Sequence, residues 1–280
     1  MTITLYTNCY TPELLSSMQP GFTPWDNTSN PEPILREFPV FLQVYEKLQN
    51  NVDAPRYWGV LSPKFEEKSG ISGTEFYDWI KNNPTNADVY FINPKTIAES
   101  LYPNVVYHGE RWHTNLASLM QRNINLFHPN VDLSSLYMDT NSFAMCNYFV
   151  GNSIFWKEYL NFVNTFLHHV SQNELDRKMM FSVSANYNLD HSVPYYSFVV
   201  ERLFSVFLRL HPAIRAKSFS YTREQLNKKL QLPEPIIDEL MALTAIKNAA
   251  ISGKNPDLLP HWAWLRNRMT QQNPYILSLE

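Results

Sequence analysis

Apolar and polar residues follow two rhythms along this chain, and each rhythm predicts a different kind of element. At residues 2–8, TITLYTN is short, β-branched and aromatic, which predicts an opening strand. Residues 11–34 are rich in Pro, Ser, Asn and Thr and predict a long surface loop. ILREFPVFLQVYEKLQNN (34–51) carries apolar residues at 38, 41, 42, 45 and 48, the spacing of a helix face, with a restart at Pro39. YWGVLS (57–62) is apolar almost throughout and predicts a central strand covered on both faces. ISGTEFYDWIKNNP then opens on a capping box, Ser72 with Glu75 three residues on, and its helix stops before Pro84. ADVYFINP (87–94) is a third strand, ended by Asn-Pro.

This strand–helix–strand order is the grammar of an α/β fold with a mostly parallel central sheet flanked by helices. A further helix is expected over WHTNLASLMQRNINLF, and SFAMCNYFVG (142–151) reads as a strand. An amphipathic helix follows it over NSIFWKEYLNFVNTFLHHV. MMFSVSANYNLDHSVPYYSF reads as part strand and part loop. It leads into YYSFVVERLFSVFLRL (195–210), a helix closed by Pro212. From residue 220 the chain reads as helical: Thr222 with Gln225 makes a second capping box, and PIIDELMALTAIKNAAISG ends at Gly253. The expected organisation is one α/β domain over 1–214 and a helical C-terminal extension over 215–280 packed on it.

Composition removes several classes of function. The net charge of -3 gives no global field to recruit nucleic acid. Two cysteines, Cys9 and Cys146, form no CxxC, which excludes a cysteine zinc site and a disulfide framework. The opening residues lack a basic stretch followed by a long apolar one, and no run approaches a membrane span. The expected location is therefore the cytoplasm. The aromatic, basic stretch HWAWLRNRM (261–269) either buries against the domain or meets the inner membrane peripherally, and burial is the expectation. The chain has seven glycines, none in a GxG, so neither a Rossmann fingerprint nor a P-loop is present.

Candidate chemistry is sparse. There is no HExxH, EF-hand loop, DxD or GxSxG. Asp139 and Asn141, flanking Thr140, are the nearest thing to paired oxygen ligands for a hard cation such as Mn or Mg; the commoner use of that pattern is an Asx-turn. The 195–210 helix is more informative. Glu201, Ser205 and Arg209 fall along one stripe, with Arg202 beside Glu201, so a largely apolar helix carries a narrow charged seam. Spacing alone leaves two readings: an Arg–Glu staple in the core, or a carboxylate serving as general base at a cleft edge.

Four stretches together resemble bacterial glycosyltransferases with a GT-A-like fold, of the kind found in capsule and O-antigen clusters. They are RYWGVLSPKFEEKSG, ADVYFINP, SFAMCNYFVGNSIFWKEYLNFV and YSFVVERLFSVFLRL, spanning roughly residues 55 to 210. The resemblance implies a nucleotide-sugar donor and a glycan or lipid-linked oligosaccharide acceptor, used in surface-polysaccharide assembly. It implies Glu201 as the base that deprotonates the acceptor hydroxyl, with Arg202 binding phosphate or positioning that carboxylate. On the donor side Thr7 and Asn8 stand at the end of the first strand, where α/β sheets present ligands; Lys64 is either the charge for the diphosphate or a solvated lysine, and Asp88 either meets the ribose or base or is a turn residue at the strand's edge. On the acceptor side it points to Asn147, Tyr148 and Asp190, and Trp156 is expected in the core. Many enzymes of this type hold a metal through a DxD, which this chain lacks. A non-catalytic, degenerate transferase fold that scaffolds a polysaccharide assembly complex is the alternative, and a glycan hydrolase pairing Glu201 with Glu110 or Asp190 is a third reading.

Overall fold

The structure, a computed structural model, describes residues 2–32, 35–188 and 191–279, with 186–188, 191 and 192 described by their backbone alone. The first half alternates strands and helices: β1 (Ile3–Cys9), α1 (Pro12–Ser16), β2 (Thr23–Asp26), α2 (Phe38–Leu48), β3 (Tyr57–Leu61), α3 (Phe65–Ser69), α4 (Gly73–Asn82) and β4 (Val89–Phe91). Three helices follow, α5 (Thr96–Leu101), α6 (Val105–Trp112) and α7 (Leu116–Ile124), and then β5 (Phe149–Gly151) and α8 (Ser153–Gln172). After α9 (Glu174–Ser182), β6 (Ser184–Asn188) and β7 (His191–Pro194) form a small antiparallel hairpin ahead of α10 (Tyr195–Leu210). β8 (Ala216–Ser218), α11 (Arg223–Leu230), α12 (Glu234–Ile251) and α13 (Leu258–Gln272) complete the chain.

Six strands form one sheet in the order β2-β1-β3-β5-β4-β8. β2, β1 and β3 run parallel, β5 runs antiparallel to both of its neighbours, and β8 runs parallel to β4. Five strands therefore share one direction and β5 opposes them. All five residues of β3 are buried, as its unbroken apolar run requires of a strand covered on both faces. Alternate residues feed two cores. Trp58, Val60, Phe91 and Phe149 pack with α2, α8 and α10, whereas Tyr57, Leu61, Tyr90 and Tyr148 pack with α3 and α4. Helices thus cover both faces of the sheet. Both capping boxes are present as the sequence predicts, at Ser72 and Thr222.

Several expectations are corrected. β2 lies inside 11–34, the stretch expected to be loop, because an edge strand of TPWD carries a proline and no alternating apolar face. β8 joins the main sheet by pairing Val89 with Ala216 and Phe91 with Ser218, so the sheet takes its last strand from beyond residue 214. Of the expected helix over 112–127 only Leu116–Ile124 is helical, as α7, and Trp112 instead ends α6; Asn115 between them has a left-handed φ of 71°, and the Glu110 carboxylate accepts the N–H groups of Asn115 and Ala117. Only Phe149–Gly151 of the expected 142–151 strand is extended and paired. Before it, the Ser205 hydroxyl binds both the N–H and the C=O of Ala144, supplying from a helix what a neighbouring strand would otherwise supply.

The C-terminal helices are bolted to α5. The buried Lys247 ammonium on α12 donates to the carbonyls of Glu99 and Tyr102, and Trp262 on α13 donates to Ser100 O at 3.1 Å. Of the aromatic, basic stretch, Trp262 is buried as expected, while Trp264 is 62% exposed.

Candidate functional site

The chain leaves β1 for β2 on one side of it and then crosses to β3 on the other side. Where successive connections part in this way, the carboxyl ends of the strands form a crevice that helices do not fill, and α/β sheets bind ligands there. The same edge receives the ends of β1 and β3, the Asn93-Pro94-Lys95 turn after β4, and the start of the reversed strand β5. Thr7 and Asn8 lie at this edge and are buried, and Lys64 follows β3 with its side chain exposed. Asn8 is also spent locally: its Oδ1 accepts from Asn27 Nδ2 at 3.0 Å, tying the ends of β1 and β2 together. Asn147, just before β5, is 7% exposed and its amide oxygen is buried without a hydrogen-bond partner.

Helix α10 brings Glu201 to this edge. Phe204 stacks on Phe149 at 4.4 Å and meets Phe91 edge-on at 5.2 Å, which fixes α10 across β5 and β4. With Ser205 bound to Ala144, the residue one turn earlier on that stripe projects toward the residues that lead into β5. Glu201 keeps part of its surface open to solvent. Even so, desolvation by the surrounding protein pushes its carboxyl up to about 7, and Glu37 pushes the same way, against Lys68, Arg202 and Arg36. Among the described residues no group hydrogen-bonds or ion-pairs with it. An unpaired carboxylate with a pKa near neutrality, at the edge where α/β sheets bind ligands, has the properties that proton-transfer chemistry requires of a side chain.

Arg202 is corrected. A helix turns about 100° per residue, so the neighbour of Glu201 points elsewhere. The Arg202 guanidinium is 3% exposed and donates to Val105 O at 3.0 Å and Phe198 O at 2.7 Å, with Nη2 3.4 Å from His108 Nδ1. Burial lowers its pKa to about 10, so it stays charged. Gly109 admits it, since a Cβ there would stand 2.5 Å from Arg202 Nε. Arg202 thus staples α10 to α6, away from the sheet edge. The pair is neither an Arg–Glu staple nor a joint site: its two members do different work.

Asp88 is corrected as well. It precedes β4, at the amino edge, and its carboxylate accepts from the backbone and side chain of Arg215 and from Asn152 Nδ2 at 3.0 Å. Burial raises its pKa, but the Arg215 bonds outweigh that and hold it below the usual carboxylate range. Tyr148 is 2% exposed, packs against Phe65, and directs its hydroxyl at Lys64 O from 3.5 Å, so it presents no face to a sugar. Trp156 lies in the core as expected, stacked on Trp58 at 3.9 Å and donating to Trp58 O. Asp139 is spent on the Ser142 and Ser252 hydroxyls, and Asn141 Oδ1 on the Ser218 N–H. Those two residues make the turn that the pattern commonly makes, and no cation site. Glu110 is occupied in capping α7. Asp190 lies outside the described residues.

The sequence reading missed a group of charges around Cys146. Burial pushes the Cys146 thiol up to about 12, Glu201 and Glu37 push it the same way, and Lys68 and Lys95 act against them. Lys95 could have been found, since it stands directly after a predicted strand ending in Asn-Pro, where such folds present ligands. Lys229, which arrives from α11, carried no such signal. A cavity of about 330 Å³ adjoins the same edge, between Asn93, Lys217 and Tyr221 on one side and Leu240, Met241 and Thr244 on the other. Two cavities of about 580 Å³ lie elsewhere, one behind α6 and one at the amino edge beside Trp58 and Asn152.

Comparison with family models, with curated proteins and with solved structures finds no match in any of the three. Among the described residues no helix is long and apolar enough to cross a membrane.

Proposed function

We propose that this protein is a glycosyltransferase of GT-A-like fold that moves a sugar from a nucleotide-sugar donor to a glycan or lipid-linked oligosaccharide acceptor in bacterial surface-polysaccharide assembly. The observation that carries the reading is Glu201, an unpaired carboxylate with its pKa raised to about 7 at the carboxyl edge of a mostly parallel sheet. In the proposed reaction the Glu201 carboxylate takes the proton of an acceptor hydroxyl. The freed oxygen bonds to the anomeric carbon as the bond from that carbon to the diphosphate oxygen breaks, and the nucleoside diphosphate leaves with the electron pair. Direct displacement of this kind inverts the anomeric centre. The crevice between β1 and β3 takes the donor, and Asn147 offers its amide to sugar hydroxyls. The adjoining cavity, polar on one wall and apolar on the other, suits a sugar attached to an apolar carrier.

The test is transfer from a panel of UDP-, GDP-, CMP- and TDP-sugars to glycan and lipid-linked acceptors. A positioned general base contributes about 10²–10⁴ in rate, so Glu201→Gln is expected to lower kcat by at least about 100-fold with the donor KM little changed. Turnover should rise with pH through about 7 in the wild type, as the Glu201 carboxylate forms. Transfer that is unaltered in Glu201→Gln refutes the assignment.

A further inference from the structure

The cavity of about 580 Å³ behind α6 lies between α6, α7 and α13, and two guanidiniums line it, Arg111 from α6 and Arg266 from α13. Its carboxylate, amide and serine side chains are committed to the fold. Glu110 caps α7, and Gln121 donates to Asn125 Oδ1 and Val131 O while accepting from the Leu133 N–H. Ser118 donates to Asn115 O and Ser134 to Asp132 Oδ1. The guanidiniums are not committed in this way. Arg266 lies above the Tyr102 ring at 5.9 Å and spends Nη1 on its neighbour Asn267 at 3.0 Å, but its Nε is buried with no acceptor among the described residues. Arg111 lies over Trp112 at 5.6 Å and forms no hydrogen bond or ion pair among the described residues. The acids beside the cavity, Glu110 and Asp132, are held by the N–H groups of Asn115, Ala117 and Ser134 instead.

A buried donor without an acceptor is costly and calls for a partner from outside the fold. The planar fork of a guanidinium matches a carboxylate or a phosphate. The charge of the lining decides between them. Two arginines and one glutamate leave a single positive charge in excess, which one carboxylate neutralises and a phosphate ester, at about -1.5 to -2, overshoots. Val106, Ala117 and Leu133 make the remaining wall apolar, and the volume is that of a small-molecule site.

We infer that the cavity between α6, α7 and α13 is a ligand site for a carboxylic acid with an apolar body, its carboxylate held by Arg111 and Arg266 and its hydrocarbon lying against Val106, Ala117 and Leu133. The inference is independent of the transferase reading, since neither Glu201 nor any other residue of the sheet edge lines this cavity.

The test is calorimetry on the full-length protein with octanoate and phenylbutyrate, each beside its primary amide, and with octyl phosphate. At least one of the two acids should bind with a Kd below about 1 mM, and its amide should bind about tenfold more weakly or worse. Arg111→Met and Arg266→Met keep the hydrocarbon stem and should each weaken binding by about tenfold or more, the usual weight of a hydrogen bond to a charged group. Ala117→Leu, which fills the cavity and leaves both charges, should abolish it. Arg266→Met should keep the wild-type melting temperature, because the buried Nε it removes has no acceptor to lose. The inference is overturned if neither acid binds, if the amides bind as tightly as the acids, or if the two arginine variants or Ala117→Leu leave binding unchanged. Octyl phosphate binding more tightly than octanoate overturns the choice of a carboxylic acid.

Discussion

Replacing Glu201 with glutamine separates a site from a staple by stability alone, before any substrate is known. A carboxylate that pairs in the native state has a depressed pKa, and losing its charge destabilises the fold. Glu201 behaves in the opposite way, raised from 4.5 to about 7 chiefly by desolvation. A group whose native pKa lies above its unfolded value holds its proton more tightly when folded. The fold then suffers no penalty below about pH 4.5 and loses stability as pH rises through the native value near 7. The ionised form therefore carries a penalty of about 3 kcal/mol at high pH. Glutamine keeps the shape and removes the charge. Wild type and Glu201→Gln should be equally stable at pH 4, while at pH 8.5 the variant should be more stable by about 2–3 kcal/mol. At about 2 °C per kcal/mol for a chain of this size, melting should rise by about 4–6 °C at the higher pH. Urea unfolding across that range measures the difference directly. A variant less stable than wild type at pH 8.5, or a difference that ignores pH, refutes the reading of Glu201 as an unpaired carboxylate. A gain in stability coupled to loss of transfer is the trade expected of a functional group.

Arg202→Met should do the reverse. It removes the two hydrogen bonds that a buried charged donor makes to the carbonyls of Val105 and Phe198, and a hydrogen bond to a charged group is worth about 1.5–3 kcal/mol. Urea unfolding should show a loss of at least about 2 kcal/mol, equal at pH 6 and pH 9 because the guanidinium, with a pKa near 10, stays charged. A loss near zero would contradict its role as a staple. Asp88→Asn should cost only about 1 kcal/mol at pH 7, since the Arg215 side chain is 59% exposed and water screens the pair. That cost should vanish in acid, because the Asp88 contribution is present above pH 3.8 and is lost as pH falls through its lowered native pKa. Nucleotide binding should be unaffected, as the amino edge is remote from the crevice; weakened binding would return Asp88 to the donor site.

The strongest periodic signals carried most of the fold. YWGVL, the Ser72 and Thr222 capping boxes and the whole of 195–210 form the elements their patterns predict. The misses share one physical cause: each is an element stabilised by a distant partner. β2 and β8 are three or four residues long and extended only because β1 and β4 pair with them. Residues 142–148 are apolar enough for a strand, yet Ser205, some sixty positions on, binds the Ala144 backbone instead. The site divides along the same line. Glu201 stands out in the sequence because its helix carries few other charges to compete with it. Asp88, Tyr148 and Asp139 were misread because their partners, Arg215, Phe65 and Ser252, lie far away in sequence.

The case for a site rests finally on an asymmetry among buried charges. Asp176 is held by Arg122 and Asn123, Asp88 by Arg215 and Asn152, and Glu99 by Thr140 and Asn93. Lys247 and Arg202 are held by backbone carbonyls. Each charge is committed where the fold needs a clamp, as desolvation demands. Glu201 sits in the same protein, on the same helix as Arg202, and no described residue gives it a partner. An uncommitted acid is costly as architecture. It is what a reaction needs when it takes a proton from a substrate.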